Sequence, residues 1–123
     1  MVDIILDLKA RNLAEFQELI ANAPAELEYI IKNILVQEGV MIASEAKDNA
    51  PVKTRELRDS IHSAPTVSGA TVTSGLHYAK YQEYGTKYMA PKNFMKNALE
   101  SAKPRIRQRV EQAIYDYFMR SVK

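Results

Sequence analysis

Residues 76–99, LHYAKYQEYGTKYMAPKNFMKNAL, place the tightest limits on what this chain can fold into. They hold a strand exit, a short helix, a sharp turn and the start of a long helix. Tyr78 to Tyr84 contains no Gly, Pro or β-branched residue and can wind about two helical turns. Gly85 then sits where a helix stops on a residue with positive φ, which places Thr86 just beyond the stop. Tyr78, Tyr81 and Tyr84 follow one another a turn apart and form a stripe, with Ala79 as the small apolar residue opposite. Pro91 and Asn93 open a second helix, with Asn93 as a capping side chain and Phe94, Ala98 and Leu99 starting its apolar face. Local physics reads the whole as a helix–turn–helix connector whose tyrosines lie over a sheet.

The segments before it supply the sheet and a long helix. Val2, Ile4, Leu6 and Leu8 alternate with mostly polar neighbours, which predicts a half-buried strand over residues 2–9. Asn12 and Glu15 have capping-box spacing, and Leu13, Phe16, Leu19 and Ile20 give a short amphipathic helix ending near Pro24, or else one helical arm through Ala21 and Asn22. Residues 24–48 read as a helix of about 25 residues, or ~37 Å, with Pro24 at its first position. Leu27, Ile30, Ile31, Ile34, Leu35, Met41 and Ile42 make its main apolar stripe, while Tyr29, Val36, Val40 and Ala43 gather on the other side. A helix apolar on two sides has two neighbours, so Tyr29, Val36 and Val40 are candidate contacts with another subunit. Glu38 and Glu45 fall inside the main stripe. They are either a buried acid pair for catalysis or metal, or a charge match to Arg105 or Arg109; no suitably spaced His accompanies them, which favours the match.

Pro51 ends this helix through its effect on Ala50. Thr54 is placed to cap a turn through Arg55 to Asp59. Ile61 to Val67 and Ala70 to Leu76 flank Ser68-Gly69 as a β-hairpin. Pro65 donates no N–H and must occupy a non-hydrogen-bonded site or a sheet edge. A four-residue loop from Val67 to Ala70, with Pro65 opposite Val72 and Ile61 opposite Leu76, is expected to meet that condition where a tight two-residue loop would not, and it points Ile61, Val67, Val72 and Leu76 inward. Farther on, Met95, Ala98, Leu99, Ala102, Ile106, Val110, Ala113 and Tyr117 recur at helical spacing, with a kink or break expected near Ser101 to Lys103 because of Pro104. Tyr115, Phe118 and Met119 lie off that stripe and form a second candidate contact surface. The predicted class is α+β: an N-terminal strand and central hairpin in a small antiparallel sheet, packed against a long central helix and a long C-terminal helix, as a single domain over residues 1–123.

Charge is distributed unevenly. Residues 1–50 hold nine acids and four bases (−5), residues 51–91 three acids and five bases (+2), and residues 92–123 three acids and eight bases (+5). The two ends attract, either within one molecule or between molecules in a head-to-tail ring. A basic C-terminal helix touching DNA through Lys103 to Arg109 is the alternative. The chain has no cysteine, which excludes disulfides and thiolate zinc sites and fits a reducing compartment. Neither a signal-peptide pattern nor a bilayer-length apolar run occurs, so a cytosolic protein, or one assembled there into something larger, is expected. His62 and His77 are the only histidines and read as surface residues. No phosphate-binding loop, GxSxG elbow or HExxH helix is present, so neither catalysis, a cofactor nor a small-molecule substrate is expected.

The order Ala50-Pro51, Thr54, Leu57, Ser60-Ile61, then Tyr78-Ala79-Lys80-Tyr81, Glu83, Gly85-Thr86, then Ala90-Pro91 and Phe94-Met95 resembles the tail-completion, or neck, proteins of long-tailed bacteriophages, also described as head–tail joining or minor tail protein Z-like. YAKYQEYGT carries most of the likeness, and Arg55 stands where that family usually has Gly. The resemblance implies a structural subunit of a ring, commonly hexameric, at the head–tail interface of a virion assembled in the bacterial cytoplasm. Its partners would be further copies, tail terminator and head-connector proteins, with DNA only as passing cargo and no membrane. By the same resemblance Pro51, Thr54, Leu57, Ser60, Ile61, Tyr78, Ala79, Tyr81, Glu83, Gly85, Thr86 and Phe94 become signature residues. Glu83 is expected to pair with a neighbouring base, and Gly85-Thr86 to hold the tyrosine helix against the hairpin.

Overall fold

Strand β1 (Val2–Asp7) alternates as its sequence demands: Ile4 and Leu6 are buried while Ile5 is 61% exposed. The computed structural model describes residues 2–7, 22–50, 55–76 and 78–120. The capping box at Asn12, the short helix through Ile20, and Leu8, Pro51, Thr54 and His77 lie outside these described residues. After β1 come α1 (Ala25–Asn49), α2 (Arg55–Ser60), β2 (Ile61–Pro65), β3 (Gly69–Ser74), α3 (Ala79–Tyr84) and α4 (Phe94–Met119). The three strands form one antiparallel sheet in the order β1-β3-β2, so the α+β architecture is the one expected.

The hairpin differs from expectation in register. Ile61 lies opposite Ser74, Ser63 opposite Val72 and Pro65 opposite Ala70, two residues from the expected pairing. The loop is the tight pair Val67-Ser68, closed by the Thr66 N–H on the Gly69 carbonyl at 2.9 Å. The condition set by Pro65 is nonetheless met. With Thr66 and Gly69 hydrogen-bonded, alternation leaves the next pair, Pro65 and Ala70, without ladder bonds, and β2 is a sheet edge. A two-residue slip keeps every side chain on its face, so Ile61 and Val72 are fully buried and Leu76 packs on the core as expected. Val67, expected to point inward, is 93% exposed because it sits in the loop.

Helix α1 lies between the sheet and α4. Its buried arc contains Leu27, Ile31, Leu35, Glu38, Gly39, Ile42, Ala43 and Ala46. Gly39 meets the sheet: a Cβ there would lie 3.1 Å from the Ala70 Cβ and 3.7 Å from that of Ser63. Glu38, about 100° away round the helix, meets α4. Two expectations are corrected, since Met41 is 45% exposed and Ala43 is buried; the helix rotates its small residues, Gly39 and Ala43, toward the backbone-rich sheet. Pro24 is the cap residue, in extended geometry, and the helix begins one residue later. Ala50 is extended with ψ 147, as a residue before proline should be.

Helix α4 runs on through Pro104, so of the expected kink or break the break does not occur. Pro104 and Glu100 are both exposed, so the carbonyl that proline leaves without a partner faces water. The buried face of Phe94, Met95, Ala98, Ala102, Ile106 and Val110 continues along α1 past it.

Candidate functional site

Residues 80–96 fold into a compact clasp between α3 and α4. Gly85 ends α3 with φ 77 and ψ −179, a conformation confined in practice to glycine and more extended than the left-handed helical turn expected. A Cβ at this position would lie 2.7 Å from the Met89 carbonyl oxygen and 2.8 Å from the Pro91 nitrogen. The chain then makes a miniature hairpin: Thr86 and Met89 exchange backbone hydrogen bonds of 2.9 and 3.2 Å, and the Tyr88 N–H donates to Thr86 Oγ1 at 3.1 Å. The amides of Lys92 and Asn93 return to the carbonyls of Gln82 and Glu83 at 2.8 and 3.2 Å. These two bonds fasten the exit of the clasp to the end of α3.

Glu83 locks it. Its side chain is buried, and its two carboxylate oxygens accept from the amides of Met95 and Lys96 at 2.8 and 2.9 Å. These are two of the four N–H groups that a helix N-terminus leaves without internal partners. The negative charge also lies at the positive end of the α4 dipole. The expectation that Glu83 pairs with a base is therefore corrected. Asn93, expected to cap α4, makes no side-chain cap bond and is left-handed at φ 51, ψ 37; Glu83 from the neighbouring helix does that work instead.

The tyrosine stripe is also turned from its expected place. Ala79 and Glu83 form the buried side of α3, and the rings of Tyr81 and Tyr84 are 44% and 68% exposed. Tyr78 is half-buried against the core; that burial, and then the Glu56 carboxylate nearby, hold its hydroxyl above the usual phenol range. The remaining signature positions divide by role. Leu57, Ile61, Ala79 and Phe94 are fully buried core. Ser60 Oγ donates to the Leu57 carbonyl at 2.6 Å, so it accepts from the buried Ser74 hydroxyl at 2.7 Å and ties the end of α2 to the sheet. Arg55 lies in the first turn of α2, and Asn93 is the only non-glycine among the described residues with positive φ; nothing at Arg55 requires glycine.

Between the long helices Glu38 is fully buried, with Arg105 Nε on one oxygen at 2.7 Å and Arg109 Nη1 on the other at 2.6 Å. The charge match is thus the correct reading of Glu38. Glu45 lies outside the buried arc. Glu26 pairs with Arg120 farther along the same two helices. The opposite charges of the chain ends are therefore joined within one molecule at these points. They also occupy much of the basic stretch offered for DNA, since Lys103 bonds Glu100 at 3.1 Å. His62 is exposed, its Nδ1 3.0 Å from the Ser60 carbonyl. Among the described residues no group of three or more His, Cys, Asp or Glu is placed to hold a metal, and no helix is long and apolar enough to cross a membrane.

Large apolar side chains also stand outward on the long helices, among polar ones. Tyr29 and Val40 on α1 are 63% and 58% exposed, and Tyr115, Phe118 and Met119 on α4 are 60%, 49% and 45% exposed; Val36 is half-buried. The family model described as "HK97-gp10_like: Bacteriophage HK97-gp10, putative tail-component" matches residues 14–85, more than half of the chain. The chain belongs to this family of phage tail components. The matched segment takes in α1, the hairpin and the clasp as far as Gly85, and stops short of Thr86, Phe94 and the rest of α4. A role as a structural phage protein, associated with the virion and working against other phage structural proteins, follows at that level. No match is found among curated proteins or among solved structures.

Two features of the site were not foreseen. The capping role of Glu83 has no local signal, because its partners are backbone amides 12 and 13 residues away. Gly39 did carry one: a glycine inside a helix costs about 1 kcal/mol relative to alanine, which demands a packing reason.

Proposed function

We propose that the chain is a structural, non-catalytic subunit of the phage head–tail interface, folding as one domain over residues 1–123. In this reading it completes the head-proximal end of the tail and joins it to the capsid connector as one member of an oligomeric ring, commonly of six, with DNA passing through the lumen. It acts without cofactor or small-molecule substrate, beside tail terminator and connector proteins, and is assembled in the bacterial cytoplasm.

One observation carries the reading: large apolar side chains stand uncovered on both long helices, at Tyr29 and Val40 and at Tyr115, Phe118 and Met119. Exposed apolar area of this kind suits a subunit covered by neighbouring subunits; Tyr29 stands at the end of the helix pair where Glu26 meets Arg120, the end that also carries Tyr115, Phe118 and Met119, and Val40 lies farther along. Light scattering of purified protein over a dilution series, alone and with its tail-terminator and connector partners, tests it. A species of several copies that dissociates on dilution, or forms when the partners are added, is the expected result. A monomer under every one of those conditions would overturn the proposal.

A further inference from the structure

We propose that the clasp from Lys80 to Lys96 is a contact surface for the phosphate backbone of duplex DNA. Residues 78–99 contain four lysines, Lys80, Lys87, Lys92 and Lys96, and one acid, Glu83. That acid is 3% exposed, with both oxygens on the amides of Met95 and Lys96, whereas all four lysines are exposed. Burying the sole carboxylate under the clasp leaves a surface with no negative side chain of its own. Several cations elsewhere meet acids: Arg105 and Arg109 on Glu38, Lys103 on Glu100, Arg120 on Glu26. The contacts that Lys80 and Lys87 make are with rings, at 5.1 Å from the centre of Tyr81 and 5.0 Å from that of Tyr88. A cation over a ring is held in place without being neutralised.

The aromatic groups share this surface. On α3, Lys80, Tyr84 and Tyr81 fall within about 100° of arc, opposite the buried Ala79 and Glu83. Tyr88, at the tip of the miniature hairpin, is 87% exposed. Lysines are point charges without the planar fork that reads base edges, and tyrosine hydroxyls are ordinary phosphate donors. The combination fits a sequence-independent polyanion contact. The positive character of the surface stands by itself; the choice of duplex DNA as the polyanion rests on the phage reading above.

The test is fluorescence anisotropy of a random-sequence duplex titrated with the full chain at several salt concentrations. Four phosphate contacts predict binding in the range of about 10⁻⁴–10⁻⁶ M, with a logarithmic salt slope of roughly −3 to −4. Replacing Lys80, Lys87 and Lys92 together by Ala should weaken binding about tenfold or more and remove most of that slope. Tyr84→Ala with Tyr88→Ala should weaken it with the slope unchanged. Lys103→Ala with Arg107→Ala, on the basic helix, should leave it intact. The proposal is overturned if the triple variant binds like the parent, if the helix pair carries the loss instead, if no binding occurs at low salt, or if polyglutamate competes better than DNA, which would mark an acidic protein as the partner. Thermal melts confirm that each variant is folded. Light scattering on the same samples separates this result from the ring: a monomer that binds the duplex through the clasp supports the contact alone, and a ring that ignores DNA overturns the contact alone.

Discussion

Gly85 and Glu83, two residues apart, hold the same clasp by opposite kinds of physics, one through an absent side chain and the other through a fully used one. At Gly85 a positive φ and contacts of 2.7 and 2.8 Å to backbone atoms leave no room for relaxation, since neither Met89 nor Pro91 can turn a rotamer aside. Gly85→Val should therefore destabilise the fold by about 2–3 kcal/mol or more, and a thermal melt indistinguishable from that of the parent would contradict the geometry. Glu83→Ala leaves the buried Met95 amide and the part-buried Lys96 amide without acceptors, for an expected loss of about 2–3 kcal/mol in denaturant melts, while Glu83→Gln retains one acceptor and should lose about half as much. Equal melts for the two variants would show that the carboxylate does not cap α4. The positive φ of Gly85 was legible in the sequence because it ends a helix-competent run; the partner of Glu83 was not, because a backbone amide looks the same under every side chain.

At the scale of elements, the fold depends on α1 serving two neighbours. Gly39 lets it approach the sheet and Glu38 binds it to α4, and adjacent positions on a helix point about 100° apart. A Cβ at Gly39 would come within 3.1 Å of the Ala70 Cβ, so Gly39→Ala should be nearly neutral, its helix propensity offset by crowding. Gly39→Leu should cost about 1–3 kcal/mol by prising α1 from β3, and a Leu variant as stable as the parent would refute that packing. Both long helices were readable from their 3.6-residue periodicity. The failures came where periodicity says nothing. Pro104 does not break α4 because it lies on the water side, and the hairpin register depended on where its loop falls, which shifts by one residue with no change in the apolar pattern.

For the whole molecule, the ion pairs between the helices join these charges within one subunit, and the proposed assembly rests on apolar contact. Val40→Asp with Phe118→Asp should leave the stability of the single chain within about 0.5 kcal/mol, since both side chains are already exposed, yet should abolish the larger species in light scattering. Loss of fold along with assembly would show instead that these residues serve the monomer. The uneven charge along the chain, taken from the sequence, was compatible with pairing inside one copy or between copies. Only the placement of Arg105, Arg109 and Arg120 across from Glu38 and Glu26 decided for the first at these points.

The α+β class, the span of each long helix, the strand alternation and the turn at Gly85 were written locally, in side-chain periodicity and in the conformational limits of Gly and Pro. Which way α3 faces, which acid caps α4, where the hairpin pairs and which apolar residues stay uncovered were settled by contacts between segments far apart in the chain. Burial is a property of pairs of surfaces: Val40, Phe118 and Met119 are as apolar in the sequence as Phe94 and Leu57, and only the packing of two helices and a sheet determined which of them would meet water.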